Sequence, residues 1–335
     1  MLRRILLCLC IFTSLACATG CGVSKKEVKI GVSIGAGPAV RWDFEKSYME
    51  ERAKEKGVYM EVRLNRTEEI KSQKQDCFEL VDSGIDVLIL MPRTVDNLKE
   101  IADYAARKKV KLIDYARISK GDYVDLFVGY DSGRIGQSLG QYLSETVDKG
   151  DYIILRGDPG DNNATLLYEG AMQYIEPIKE DINVILDAPV PGWSVDEAKR
   201  MVTEAIEANG YKVDAILAPN DKLAGACAEA LKELNITNHV AITGMDAELD
   251  ALKRIVDGTQ DITVYMDLKE LAYTAVDEAI NMATGRKVNV NTKFQNGYKD
   301  GVDANLITGD VVTKQNLDKL LIESGYFTKE EVYGE

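Results

Sequence analysis

Residues 86–115 read DVLILMPRTVDNLKEIADYAARKKVKLIDY. After Asp86 the run to Met91 is apolar at every position. Val95, Leu98, Ile101 and Ala105 then recur three or four residues apart, and 110–115 turns apolar again. A strand that is apolar on both faces has to be covered on both, and a helix between two such strands joins them in parallel. The stretch is therefore a β–α–β unit inside a sheet with helices on each side.

The same alternation extends in both directions. Upstream, 28–34 (VKIGVSI) and 58–64 are expected strands, with helices at 43–56 and 68–83. Downstream a second array begins. Strands are expected at 152–155, 183–186, 215–218 and 240–243. Helices follow at 164–178, 195–208, 222–234 and 247–255. A third segment opens with a strand at 262–265 and a long helix at 268–283, then turns polar. It has a short apolar run at 305–308 and a last helix at 314–323. Each array has about four strands. At 335 residues the chain has the length of two domains, and seven prolines leave little material for a long stiff spacer between them.

Composition narrows the function classes. Forty-one Lys and Arg against 55 Asp and Glu give a formal charge of −14, which argues against non-specific binding to nucleic acid, since that needs a basic face. His239 is the single histidine, so a Ser-His-Asp triad or a multi-histidine zinc site would have to be built on that one residue. It precedes a strand and reads as a surface residue.

The first 20 residues, MLRRILLCLCIFTSLACATG, have the layout of an export signal: Arg3 and Arg4, an apolar run over 5–15, then small residues before Cys21. The apolar run is shorter than the roughly 20 residues of a membrane-spanning helix. A small-residue run ending in cysteine resembles a bacterial lipobox, so Cys21 is the expected lipidation site and the membrane anchor, with Cys17 after Ser14-Leu15-Ala16 a second, weaker candidate. Removing residues 1–20 takes away only Arg3 and Arg4 among charged residues and leaves −16. Of six cysteines only Cys77 and Cys227 lie in the body of the chain. They fall in separate expected helices and read as buried free thiols.

Open parallel sheets bind ligands beyond the carboxyl ends of their strands. In the first array those ends carry Gly35-Ala36-Gly37-Pro38 leading to Arg41-Trp42, then Pro92-Arg93 and Ala116-Arg117. In the second they carry Asp161-Asn162-Asn163, Gly192-Trp193, Asn220-Asp221 and Asp246, and the third segment adds Met266-Asp267. Both tryptophans of the chain, Trp42 and Trp193, are in this set, one from each array. Aromatic faces pack on the C–H faces of sugars, while Asp, Asn and Arg bind hydroxyls; the set suits a polyhydroxylated ligand. Asn220-Asp221 and Asp161-Asn162-Asn163 also fit plain helix caps, with Asp221 the expected cap residue of its helix. Gly31, Gly35 and Gly37 fall short of a dinucleotide fingerprint, because Val40 stands where the third glycine belongs and the second strand ends in Leu64-Asn65 without an acid. No cofactor is expected.

These residues resemble the periplasmic sugar-binding proteins of the ribose/xylose type, and their D-xylose-binding members most closely. The resemblance runs from Lys26 almost to the C-terminus, through KEVKIGVSI (26–34), RW (41–42), GIDVLILMP (84–92), DNNA (161–164), GW (192–193), NDKLAGA (220–226) and GMDAELDALKRIVDGTQDITVY (244–265). It implies an α/β fold: two Rossmann-like lobes with parallel sheets, joined by three crossovers, as in a type I periplasmic binding protein. Residues 27–130 with 265–292 would form the first lobe and 131–264 with 293–335 the second. A monosaccharide would bind between them at Arg41, Trp42, Arg117, Asn162, Trp193, Asn220 and Asp246. The family pattern has Asp where this chain has Ala116, Gln at Met245 and Lys at Met266, so Ala116 and Met266 mark a remodelled part of the pocket. A deoxy-sugar, a modified pentose or a furanose-like signal would suit it. The implied protein is a monomer and no enzyme. It would deliver its sugar to an ABC permease or, alternatively, report it to a membrane histidine kinase or chemoreceptor. A nicotinamide dehydrogenase is disfavoured by the glycine pattern and the export signal. A sugar-responsive repressor would need a basic DNA-binding segment where the signal stands.

Overall fold

The computed structural model describes residues 27–36, 41–66, 70–94 and 98–334; the export segment and Cys21 lie outside them. The first array forms β1 (Lys29–Ile34), α1 (Arg41–Lys56), β2 (Tyr59–Leu64), α2 (Ile70–Asp82), β3 (Val87–Met91), α3 (Lys99–Lys108), β4 (Lys111–Tyr115) and β5 (Leu126–Tyr130). Its strands run in parallel in the order β2-β1-β3-β4-β5. Every residue of β3 and β5 is buried, as two-sided cover demands.

The second array follows as α4 (Ser132–Thr146), β6 (Gly150–Leu155), α5 (Asn162–Ile175), β7 (Ile182–Ala188), α6 (Val195–Ala208), β8 (Ala215–Leu217), α7 (Asp221–Glu233), β9 (Ala241–Ile242), α8 (Leu249–Asp257) and β10 (Ile262–Tyr265). Its sheet order, β7-β6-β8-β9, repeats that of β2-β1-β3-β4. β10 continues this sheet through backbone bonds of Val264 with Gly244 and Asp246. Sequence reading left 116–151 without elements; β5 and α4 fill most of that gap.

The chain crosses between lobes three times: at Asp131, at Met266-Asp267 before α9 (Leu268–Ala283), and at Thr308-Gly309. After α9 come β11 (Thr292–Phe294), β12 (Val302–Ile307) and β13 (Asp310–Thr313). β12 pairs in parallel with β5, and β11 with β12, so 292–307 belongs to the first sheet. The division that gave all of 293–335 to the second lobe is corrected here. The fully buried β5 needs a neighbour on its outer side, and VDANLI supplies one by turning Val302 and Ala304 inward. β13 then returns to pair antiparallel with β10. The expected helix at 314–323 shrinks to one π-type turn, Asp318–Ile322, and a short α10 (Lys329–Tyr333) ends the chain.

The crossovers lie side by side. The Asp131 N–H donates to the Ile307 carbonyl at 2.9 Å, and Tyr265 is in register with Asp310. Asp131 caps α4 and Asp267 caps α9, so each returning helix starts directly at the hinge. One apolar cluster runs from Ile30 and Ile89 through Tyr130, Leu167 and Met266 to Ile154 and Leu217, joining both lobes under the cleft.

Glycines let α4 and α5 approach closely. A Cβ on Gly136 would stand 2.0 Å from the Leu167 carbonyl oxygen, and one on Gly140 2.2 Å from that of Ala171. Helix propensity alone makes Gly136→Ala stabilising by about 1 kcal/mol. Overpacking against a backbone carbonyl reverses the sign, and a net loss of about 1–3 kcal/mol is expected in chemical denaturation. A neutral or stabilised variant would show that the two helices can move apart.

Candidate ligand-binding site

Both sheets present the carboxyl ends of their strands to the cleft, and a cavity of about 210 Å³ lies between them. That is smaller than the roughly 300–1,000 Å³ typical of sites for drug-sized ligands, so a compact ligand fits. Arg41 and Trp42 come from the segment after β1, Ala116 and Arg117 from after β4, and Trp193 from after β7. Asn220 follows β8, Asp246 follows β9, and Met266 sits in the crossover after β10; all eight line the cavity.

Asn162 does not. Its neighbours Asp161 and Asn163 face the cavity, and Asn162 lines an adjoining opening with Lys120, Thr165 and Gln295. The helix decides this. Asp161 caps α5, accepting from the Asn163 N–H at 2.9 Å, and Asn163 is turned inward, where its Oδ1 accepts from the Ser132 hydroxyl at 3.1 Å. Leu167, four residues on and on the same helix face, also lines the cavity. Sequence reading missed Leu167, which the i, i+4 spacing from Asn163 could have found. It also missed Tyr130 and Ser132, which flank the first crossover in the stretch left without elements. Met245 adds apolar surface beside Asp246.

At the first lobe's edge Arg41 opens α1. Its Nε and Nη2 donate to Glu45 Oε1 at 3.0 and 2.6 Å, and its guanidinium stacks 4.6 Å from the Trp42 ring. Glu45 is completely buried, and a carboxylate there is tolerable only with such a partner. The guanidinium also acts on Asp246 across the cleft. Burial pushes the Asp246 carboxyl up to about 6, while Arg41 pulls it back down. Arg117 donates to the Arg93 carbonyl at 3.4 Å. Arg93 itself reaches the carbonyls of Ala36 and Asn65, tying together the segments after β1 and β2.

In the second lobe Asn220, not Asp221, is the cap of α7. Its Oδ1 accepts from the Leu223 N–H at 2.9 Å, while Asp221 is the first helical residue and fully buried. Trp193 lies against Gly157, where a Cβ would meet its ring at 2.4 Å. Three cavity residues hold left-handed backbone without being glycine: Ala116 (φ 59°), Trp193 (φ 52°) and Asp246 (φ 107°). Such conformations cost of order 1–3 kcal/mol each and persist only where the surroundings impose them. His239 is exposed, with Nε2 3.0 Å from Asp261 Oδ1, and does not line this cavity. Cys77 and Cys227 are buried and unpaired, and burial pushes both thiols up to about 12. Among the described residues no cluster could hold a metal ion, and no helix is long and apolar enough to cross a membrane.

The family described as "Periplasmic binding protein domain" matches residues 30–287. This chain belongs to that family. It is 32% identical over 334 residues to the D-xylose-binding periplasmic protein of Escherichia coli (strain K12), covering 99% of both chains. To the D-xylose-binding periplasmic protein of Haemophilus influenzae it is 31% identical over 311 residues, 92% of this chain and 93% of the relative. An ABC transporter solute-binding protein from Clostridium phytofermentans, solved with bound β-D-glucose, superposes with a TM-score of 0.81 at 26% identity, covering 91% of this chain and 99% of that one. The family and these relatives are substrate-binding proteins, not enzymes. The fold is the α/β architecture with mainly parallel sheets of the type I binding proteins.

Gly157 has a φ of +74° and touches Trp193. In Gly157→Ala the new methyl group would meet the ring, and Trp193 should swing out. Acrylamide should then quench fluorescence more strongly than in the parent, in which Trp42 is only 6% exposed. Unchanged quenching would mean that Trp193 is not held by this contact.

Proposed function

We propose that the protein captures one monosaccharide between its lobes and hands it to an ABC permease, working outside the cytoplasm as a lipoprotein anchored through Cys21. The observation that carries this reading is the pairing of ligand-competent groups across one small cavity. Arg41, Trp42 and Arg117 come from the first lobe, and Trp193, Asn220 and Asp246 from the second. A ligand touching both sets binds the closed arrangement better than the open one and so drives closure. The resemblance in names and folds of the relatives supports a sugar as that ligand; the export signal in the sequence supports the location.

The apolar side chains Ala116, Met245 and Met266, joined by Leu167, offer a hydroxyl no partner. Each buried hydroxyl left unmet there costs about 1–3 kcal/mol. The ligand is therefore a pentose relative or modified sugar with an unhydroxylated edge, a deoxy-sugar being the simplest.

A thermal-shift screen of residues 22–335 against pentoses, hexoses, deoxy-sugars and furanose signals tests this, since a ligand of the native state raises the melting temperature by mass action. A large shift with a deoxy-sugar or modified pentose is expected. Submicromolar D-xylose with all other sugars much weaker would overturn the remodelled pocket, and no shift with any sugar would overturn sugar capture. Asp246→Ala and Trp193→Ala should each weaken binding at least tenfold while the proteins stay folded; unchanged affinity in both would show that the pocket lies elsewhere.

Binding should also depend on pH with a definite sign. A sugar hydroxyl donating to Asp246 needs the carboxylate, which in the free protein takes up its proton at about 6. Above about pH 7 affinity should be flat. Below 6 a proton must leave on binding, so affinity should fall by up to about tenfold per pH unit. Calorimetry between pH 5 and 8 measures this, and a flat profile would remove Asp246 from the contacts.

A further inference from the structure

We propose that Asp221 is the positioning residue of this site: its buried carboxyl group holds the 244–248 turn so that Asp246 is presented to the cavity. The inference rests on the reading that Asp246 meets the ligand. Asp221 is not among the residues lining the cavity, and the cap of α7 is supplied by Asn220.

The polar contacts of Asp221 are concentrated on the segment around Asp246. Its backbone N–H donates to the Met245 carbonyl at 2.9 Å. Its Oδ2 accepts from the Glu248 N–H at 2.9 Å and from the Thr263 hydroxyl at 2.8 Å, and its Oδ1 from Gln260 Nε2 at 2.9 Å. The Thr263 hydroxyl in turn accepts from the Ala247 N–H at 3.1 Å. Behind this set Arg254 donates to the Asp221 carbonyl at 2.8 Å and to Gln260 Oε1 at 2.9 Å. At Gly244 a Cβ would stand 2.1 Å from Asp221 Oδ1, so the entry to the turn is pressed onto the carboxyl group.

The turn needs that grip. Asp246 (φ 107°) and Ala247 (φ 50°) are consecutive left-handed residues, neither of them glycine. Such backbone persists only where its surroundings impose it. Two donors from the far end of the turn, Ala247 through Thr263 and Glu248 directly, converge on one carboxyl group. A buried carboxyl group of this kind is tolerated because its oxygens are met by hydrogen-bond donors. The charged and titratable groups facing Asp246 are Arg41 from α1, Lys222 from α7, Glu248 from the turn itself, Asp221, and Tyr326 near the C-terminus.

The test uses the chain from residue 22 with Asp221→Asn and, because that variant could fail to fold, Thr263→Val. In ligand-free protein the side-chain carboxyl ¹³C signal of Asp246 is assigned by its loss in Asp246→Asn and titrated. With the turn held, it should titrate near 6. In folded Thr263→Val, which keeps the Asp221 carboxyl group, the loosened turn admits water and the midpoint should drop by at least one unit toward the ordinary Asp value of about 3.9; Asp221→Asn, which also removes a like charge beside Asp246, should lower it at least as far. An unmoved midpoint in the folded variants overturns the proposal.

The second arm measures D-xylose and D-glucose binding in a double-mutant cycle with Asp246→Ala. Asp221→Asn should weaken binding at least tenfold in the parent and less than twofold in the Asp246→Ala background. Equal losses in both backgrounds, as a general destabilisation would give, also overturn it. Should neither sugar bind the parent, as the remodelled pocket allows, the carboxyl titration decides Asp221 by itself.

Discussion

A parallel strand is always followed by a crossover, so the loops at the carboxyl ends of a parallel sheet collect along one edge. In this chain two sheets of the same strand order turn those edges toward each other, and three neighbouring crossovers keep them there. Everything the site contains follows from that arrangement. Each lobe brings one tryptophan and at least one charged group to the same cavity. The hinge segments are themselves part of the wall, since Tyr130 and Met266 stand at two of the crossovers.

The floor of the cleft concentrates unfavourable local choices. Glu45 is buried against Arg41, and burial pushes the hydroxyls of Tyr115 and Tyr130 well above the usual phenol range. Ala116, Trp193 and Asp246 hold backbone that their side chains disfavour. Proteins keep such features where rigid surroundings impose them, and they gather at binding sites because a pre-aimed group loses less freedom when the ligand arrives. The surroundings here are well packed: an apolar cluster continuous between the lobes, the close glycine contact of α4 with α5, and the Asp221 hub. Asp246 illustrates the balance. Its burial favours the neutral acid, Arg41 across the cleft favours the carboxylate, and the resulting midpoint near 6 leaves it charged at neutral pH.

The C-terminal segment shows how non-local pairing completes a lobe. Residues 292–307 are polar and short in apolar runs, yet β12 closes the outer side of β5, and β13 returns to β10. The chain thus leaves the second lobe for the first and comes back once more. That third crossing binds the Asp131 N–H to the Ile307 carbonyl and keeps the hinge strands in step.

The sequence by itself determined the α/β alternation and the two arrays, and eight of the nine site residues expected from it line the cavity, because apolar periodicity marks strands and the strand-end rule needs only their order. It also carried the expectation against nucleic acid and histidine-based catalysis, since both rest on composition. Only the tertiary structure decided that Asn163 faces inward while Asn162 looks out, because a step of one residue on a helix is a rotation of about 100° and its phase is set by what the helix packs on. It alone decided that Asn220 caps α7 and leaves Asp221 to the interior, where the partners of its carboxyl group lie 27 to 42 residues away in sequence. The placement of β11 and β12 in the first sheet was equally beyond local pattern: a strand joins whichever edge is open, and that edge exists only once the rest has folded.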